Sequence, residues 1–251
     1  MAEDTVADLV AKATYLPAEQ ESDRAGRAKA LAALIPVMAK SAKSAGLVAV
    51  AAGRWLSDEI VEIAPKLPVR DAATLREQHP ALTDVEIAQR LISNAKKTTA
   101  ALGAATGGLA AVEFASPPTL LAAPIQLAAE ILAVAAVELK LVAELHEVLG
   151  RPAPGSVGER ASAYLTSWVR RRAISPQVGA AGLAAVFGTA AKRELRGQVL
   201  RRLGRSTTTL APFLAGAIAG AEVNRRATRD LGEALLAELR PAAEERWFRT
   251  L

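Results

Sequence analysis

Apolar residues recur along this chain at the spacing of α-helices rather than of strands. Within residues 18–44, Leu31, Leu34 and Met38 share one helical face, and Lys40 lies on the opposite face. Alternating runs rich in valine, isoleucine and threonine, which would predict strands, are absent. The predicted helices cover residues 3–15, 18–44, 54–64, 83–108, 125–149, 159–172, 178–203 and 210–239.

Several helix ends can be predicted from single residues. Thr83 and Glu86 have the spacing of a capping box, in which each side chain accepts a hydrogen bond from the backbone N–H of the other residue. Gly150 is suited to the position that follows a helix. Because proline lacks a backbone N–H, Pro36 predicts a kink or break, and Pro241 predicts the end of the last long helix.

The composition strengthens the prediction of helices. Alanine, which has the highest helix propensity, occurs in nearly every block of ten residues, and aromatic residues make up only 4% of the chain. We predict an all-α fold, a single multi-helix domain of long, closely packed alanine- and glycine-rich helices without a sheet. Within this one continuous domain, residues 1–80 would form an N-terminal helical region and residues 81–251 a helical core.

Glycine pairs at the GxxxG spacing indicate where helices approach each other closely. One pair is Gly103 and Gly107, and the other is Gly216 and Gly220. Without a side chain, such residues let two backbones come near each other. We predict that the second pair packs against the helix of residues 125–149.

The central and closing parts of the chain resemble EcsC-family proteins. The central part is residues 91–150, which begin LISNAKKTTAALGAATGG; its most distinctive piece runs from Glu138 to Glu147. The closing part is PFLAGAIAGAEVNRRATRDLGEALL, a small-residue helix followed by an asparagine and basic residues. The resemblance covers roughly residues 80–240. It implies a helical fold and membrane association, since the family is named after a protein encoded with an ABC transporter, but it implies no particular reaction.

The inventory of reactive residues is poor. There is no cysteine, and His79 and His146 are the only histidines, so disulfides, thiolate chemistry and Cys-His metal sites are excluded. No nucleophile elbow, Walker A motif or dinucleotide-binding glycine motif is present. We expect no cofactor, no metal and no catalytic residue, although an enzyme that uses only carboxylates stays open.

Glu138 is the most informative polar residue. In the helix of residues 125–149 it lies in an apolar stripe, so it needs a polar partner from another element. Asn224, on the small-residue stripe of the last helix, is a candidate. Two interpretations are open: a satisfied buried polar contact, which we favour, or a ligand or proton site in a helical core.

The face of the same helix opposite Glu138 carries several polar residues. Gln126, Lys140, Glu144 and Glu147 fall together there, and Lys140 and Glu144 are four residues apart. This spacing predicts a solvated ion-pair face. His146, beside the apolar stripe, is interpreted as a surface or capping histidine.

Positive charge is concentrated in the second part of the chain. Residues 1–150 carry 14 basic and 18 acidic residues, a net charge of −4, whereas residues 151–251 carry 17 and 8, a net charge of +9. Between residues 160 and 205 there are ten basic residues and one acid. A tryptophan beside three arginines is typical of the headgroup layer of membranes. The membrane-contact residues predicted from this cluster are Trp168, Arg170, Arg171 and Arg172.

A helix that spans the membrane is disfavoured. The most apolar window, residues 119–137, contains Pro124, Gln126 and Glu130, and an acid in mid-membrane costs roughly 2.5–3.5 kcal/mol. Whether the proline-flanked hairpin near residues 114–124 enters the bilayer stays open. Because the N-terminus lacks the features of a signal peptide, we expect a cytoplasmic protein at the inner face of the membrane.

Two function classes fit these features. The one we favour is a non-catalytic, peripheral membrane protein that supports a process such as transport or secretion, with an anionic membrane surface as partner. The alternative is a small-molecule or lipid-binding protein, conceivably a hydrolase, with a cavity near Glu138. A protein partner is compatible with both, and the oligomeric state is not specified. Nucleic acid is disfavoured because the arginines are not interleaved with aromatic residues.

Overall fold

The computed structural model describes Val6, Leu9, Val10 and residues 24–46, 54–114, 123–174 and 211–249, and over these ranges the chain is all-α. The predicted fold class is confirmed: helices pack on helices, and the described residues contain no strand. The helix predicted over residues 178–203, and most of the one over 3–15, lie outside these ranges. The helices are α1 (Arg24–Ala45), α2 (Arg54–Ile63), a 3₁₀ turn (Ala64–Lys66), α3 (Ala72–Gln78), α4 (Asp84–Phe114), α5 (Ala123–Val148), α6 (Val157–Ile174) and α7 (Ala211–Arg249).

Helix α5 lies at the centre of the fold, because each of the other six α-helices contacts it. The prediction of a solvated face on this helix is therefore wrong. Gln126, Glu144 and Glu147 are only 4%, 2% and 7% exposed, since neighbouring elements cover the face that would otherwise meet water. The predicted ion pair between Lys140 and Glu144 does form, with 2.5 Å between Nζ and Oε1.

Helices α4 and α7 form the longest antiparallel pair. A Cβ atom built on Gly103 would lie 2.9 Å from the carbonyl carbon of Gly220, and one built on Gly232 would lie 2.7 Å from Ile92. Helix α5 also contacts α7, as predicted. However, the prediction that Gly220 makes its close approach to α5 is wrong, because Gly103 of α4 takes that position.

The other two glycines of the predicted packing pairs cannot be placed in the same way. Gly107 and Gly216 lie in α4 and α7, but their surroundings are outside the described part of the chain.

The predicted capping signals are confirmed. The backbone N–H of Thr83 donates to the Glu86 carboxylate at 2.8 Å, and the Glu86 N–H donates to the Thr83 hydroxyl at 3.3 Å. Gly150 has a φ of +78°, and the N–H of Arg151 reaches back to the carbonyl of His146 at 2.8 Å, which closes α5.

Two helices continue past prolines that were expected to interrupt them. Helix α1 has no break at Pro36, and α7 continues through Pro241 to Arg249, so the helix end predicted at Pro241 is wrong. Pro36 is exposed, whereas Leu34 and Met38 on either side are fully buried. Burial of these neighbours outweighs the roughly 3 kcal/mol that an interior proline costs a helix.

The approach of Gly103 to Gly220 gives a direct stability prediction. We expect Gly103→Ala to lower the free energy of unfolding by about 1–3 kcal/mol, because the new methyl group would meet backbone atoms that cannot move aside. Gly158→Ala is the matched control, since no atom lies within 4 Å of its added Cβ. Its unfolding free energy should be unchanged or higher by up to about 1 kcal/mol. Urea unfolding measures both, and equal effects would contradict the packing.

Candidate functional site

The carboxylate of Glu138 is fully buried in the middle of α5, and donors from two other helices surround it. Oε2 accepts hydrogen bonds from the indole N–H of Trp168 at 2.9 Å and from Nε of Arg172 at 2.8 Å. Oε1 accepts from the Thr228 hydroxyl at 2.7 Å and from Nη2 of Arg172. Each oxygen has two donors, so this carboxylate is a saturated ion pair that joins α5 to α6 and α7.

The prediction that Trp168 and its neighbouring arginines form an exposed membrane contact is wrong for most of the cluster. Trp168 is 6% exposed, and the Arg172 side chain is 18% exposed, because both face Glu138. Arg171 is 17% exposed and pairs with Glu238 of α7 at 2.5 Å. Arg170 alone among the four is on the surface.

A second buried carboxylate fixes the loop before α3 to the central helix. Glu144 accepts hydrogen bonds from Nε and Nη2 of Arg70, each at 2.8 Å, and also pairs with Lys140. Burial by itself would raise the pKa of Glu144, but the hydrogen bonds from Arg70 and the charge of Lys140 outweigh it and lower the pKa. This glutamate is therefore an anion locked between two cations.

A third buried carboxylate, Glu147, lies in the last turn of α5. It pairs with the guanidinium group of Arg160 and lies 3.4 Å from the Tyr164 hydroxyl, both from α6. That hydroxyl also accepts a hydrogen bond at 3.0 Å from the backbone N–H of Ala153. The three buried glutamates of α5 thus each bind an arginine from outside the helix, an arrangement that holds these elements together.

One polar layer crosses the three longest helices. The side-chain amide of Asn224 in α7 donates to Oε1 of Glu130 in α5 at 2.8 Å and to the backbone carbonyl of Thr99 in α4 at 3.4 Å. The predicted partner of Glu138 is thus bound to a different glutamate of the same helix. Because Asn224 bonds to both neighbours, it fixes the level at which the three helices lie beside each other.

Beyond this polar layer, the three helices share one largely uncharged end, which we call the apolar end. It comprises residues 98–114 of α4, 123–129 of α5 and 211–221 of α7, and Glu113 is the one charged residue among them. Helix α4 points its C-terminus towards this end, whereas α5 and α7 begin there. In the described part, Ile218 is 70% exposed. No described helix meets the length and hydropathy needed to cross a bilayer.

A small pocket lies elsewhere, between the 3₁₀ turn, α5 and α6. It has a volume of about 170 Å³. Its lining includes Ala64, Leu67, Leu139, Ala143, Ala161 and Tyr164. Glu138 is not part of the lining. Across residues 24–46, 54–114, 123–174 and 211–249, no group of histidine and acidic side chains is arranged to hold a metal ion.

Comparison with known proteins gives no identification. No family model, curated protein or solved structure matches the chain. The resemblance to EcsC proteins therefore stays a prediction.

The saturated Glu138 pair can be tested by removing its charge. We expect Glu138→Gln to lower the free energy of unfolding by about 3 kcal/mol, because Arg172 would keep a largely buried charge without a counter-ion. Glu238→Gln is the control; its carboxylate is 57% exposed, so the loss should be under about 1 kcal/mol. Denaturant unfolding measures both effects as shifts of the transition midpoint, provided that the denaturant dependence of the unfolding free energy is unchanged. Equal losses would show that Glu138 is not a structural anchor.

His146 predicts a loss of stability in mild acid. Burial lowers its pKa below the ordinary value and outweighs the hydrogen bond with the Arg151 carbonyl, which raises the pKa; the charge of Arg171 lowers it further. The unfolded chain therefore takes up the proton first, so stability is complete above pH ~6.5 and falls as the pH decreases through the folded pKa.

Thermal denaturation of the wild type and of His146→Gln between neutral and mildly acidic pH checks this. The variant should lose less stability on acidification. His79→Gln is a needed comparison, because burial also lowers the pKa of His79. Identical pH dependence of the wild type and His146→Gln would contradict the assignment.

Proposed function

We propose that this chain is a non-catalytic, membrane-associated helical protein that holds its apolar end in one leaflet of a bilayer. The observation that carries the proposal is the gathering of the three helix ends that form the apolar end, in which Glu113 is the one charged residue, next to the Thr99–Glu130–Asn224 layer. Ile218 of this region is 70% exposed, and exposed apolar regions of a protein mark interaction sites. Lipid is an occupant that accepts uncharged helix ends without specific contacts.

The dimensions fit one leaflet. Helix α4 extends 15 residues from Thr99 to Phe114, α7 extends 13 from Ala211 to Asn224, and α5 extends 7 from Ala123 to Glu130. At 1.5 Å per residue these lengths are about 22, 20 and 10 Å. One half of a hydrocarbon core measures about 15 Å, so the apolar end is deep enough to enter one leaflet.

Within a helix the backbone hydrogen bonds are made internally, so only the last carbonyls of α4 and the first N–H groups of α5 and α7 are left without partners from the same helix. Glu113 is the one charged residue between Lys97 and Glu130. It lies one residue from the tip of α4, the part that would enter deepest, so insertion of the apolar surface has to offset roughly 2.5–3.5 kcal/mol for this acid.

The alternative function, ligand binding at Glu138, has less support. All hydrogen-bonding positions of this carboxylate are taken by Trp168, Arg172 and Thr228. The same occupation of Glu144 and Glu147 by arginines supports a role without catalysis. We place the protein at the cytoplasmic face and, following the resemblance to EcsC proteins, in support of a process such as transport or secretion.

Two equally exposed residues at opposite ends of the bundle provide the test. Ile218 lies in the apolar end and is 70% exposed, whereas Val157, at the start of α6, is 68% exposed. Binding to neutral phosphatidylcholine vesicles should become about tenfold weaker in Ile218→Asp, because a carboxylate would have to enter lipid. Val157→Asp should bind like the wild type.

Co-sedimentation with vesicles measures the affinities, and thermal unfolding verifies that both variants keep their fold. Equal binding of the two variants, or no binding of the wild type to any vesicle, would refute insertion of the apolar end.

A further inference from the structure

A group of basic residues lies immediately behind the apolar end. Lys96 and Lys97 are on α4, directly before the apolar end begins, and Arg225 and Arg226 are on α7, about one turn after it ends. The antiparallel register brings them to one level, since Thr99 contacts Asn224 and Gly103 contacts Gly220. We call Lys96, Lys97, Arg225 and Arg226 the basic collar.

The collar presents an excess of positive charge, because its four basic residues lie at the level of two carboxylates, Glu222 and Glu130. One carboxylate, Glu222, is shared by Arg225 at 2.7 Å and Arg226 at 2.5 Å. Hydrogen bonds from these two guanidinium groups lower the pKa of Glu222 to about 2, so it carries one full negative charge against two positive charges. The side chains of Arg225 and Arg226 are 44% and 66% exposed, and Lys97 is also exposed.

The position of the collar directly behind the apolar end determines its depth at a membrane. If the apolar end enters one leaflet, the collar comes to the depth of the phosphate groups, where each basic residue attracts an anionic surface.

We infer that the basic collar binds the headgroups of anionic phospholipids and thereby selects the membrane surface into which the apolar end is inserted. This inference rests on the proposed function and adds the lipid class. Guanidinium groups suit the ligand because they donate parallel hydrogen bonds to phosphate oxygens. The apolar end then contributes affinity that does not depend on salt, and the collar contributes the part that does.

The experiment compares two charge-matched variants of the full chain on vesicles of phosphatidylcholine alone and of phosphatidylcholine mixed with phosphatidylglycerol. The collar variant carries Lys97→Gln and Arg226→Gln and keeps Arg225 as the partner of Glu222. The control carries Arg151→Gln and Arg240→Gln, two exposed positions at the opposite end of the bundle. Both lose two positive charges, so they differ only in where the charge is removed.

The wild type should bind the anionic vesicles more tightly than the neutral ones at low salt, and high salt should remove most of the difference. The collar variant should lose affinity for anionic vesicles by about tenfold or more while binding neutral vesicles unchanged, and the control should match the wild type. A collar variant that keeps the anionic preference, or a control that loses as much, would overturn the inference, the latter by showing an effect of net charge alone.

The outcomes separate this inference from the proposed function. If the wild type binds neutral and anionic vesicles equally, the collar inference fails and the insertion of the apolar end stands. A second outcome is that the wild type binds only anionic vesicles, that Ile218→Asp has no effect and that the collar variant loses binding. In that case the insertion fails and the collar inference stands. If the wild type binds no vesicles, both fail.

Discussion

The fold of this protein depends on pairing the buried carboxylates of one helix with cations from other elements. Helix α5 is covered on all sides, yet it carries Glu138, Glu144 and Glu147 in its second half. A buried carboxylate without a partner would cost several kcal/mol, so each of the three requires a cation from another element. The partners are Arg172, Arg70 and Arg160. Charge is thereby concentrated in one part of the bundle, whereas the apolar end beyond the Asn224 layer carries a single charged residue, Glu113.

Features that depend on nearby residues could be predicted from the sequence. Thr83 and Glu86 are three residues apart, so their capping box depends only on neighbouring residues, and the same is true of the positive φ of Gly150. The isolation of Glu138 among apolar neighbours also follows from helical periodicity alone. Because no residue on the same face of α5 could pair with Glu138, the sequence correctly predicted a partner from another helix.

The identity of each partner could not be predicted, since it depends on which helices meet and at what level. A tryptophan beside arginines is typical of a membrane interface, but it equally suits a buried carboxylate, and here Trp168 and Arg172 serve Glu138. Their spacing of four residues, one helical turn, was the signal that both point the same way. Likewise, GxxxG spacing marks Gly220 as a contact without specifying that Gly103 is its partner.

The most direct test of the account is the depth of labels attached at the two ends of the bundle. Because the chain has no cysteine, Ile218→Cys and Val157→Cys each provide a single site for a nitroxide label. Electron paramagnetic resonance of the vesicle-bound protein measures how often the label collides with oxygen, which concentrates in lipid, and with a water-soluble nickel complex. The account predicts that the label at position 218 becomes accessible to oxygen and shielded from nickel, while the label at position 157 stays in water. Water exposure of both labels on vesicle-bound protein would contradict insertion of the apolar end.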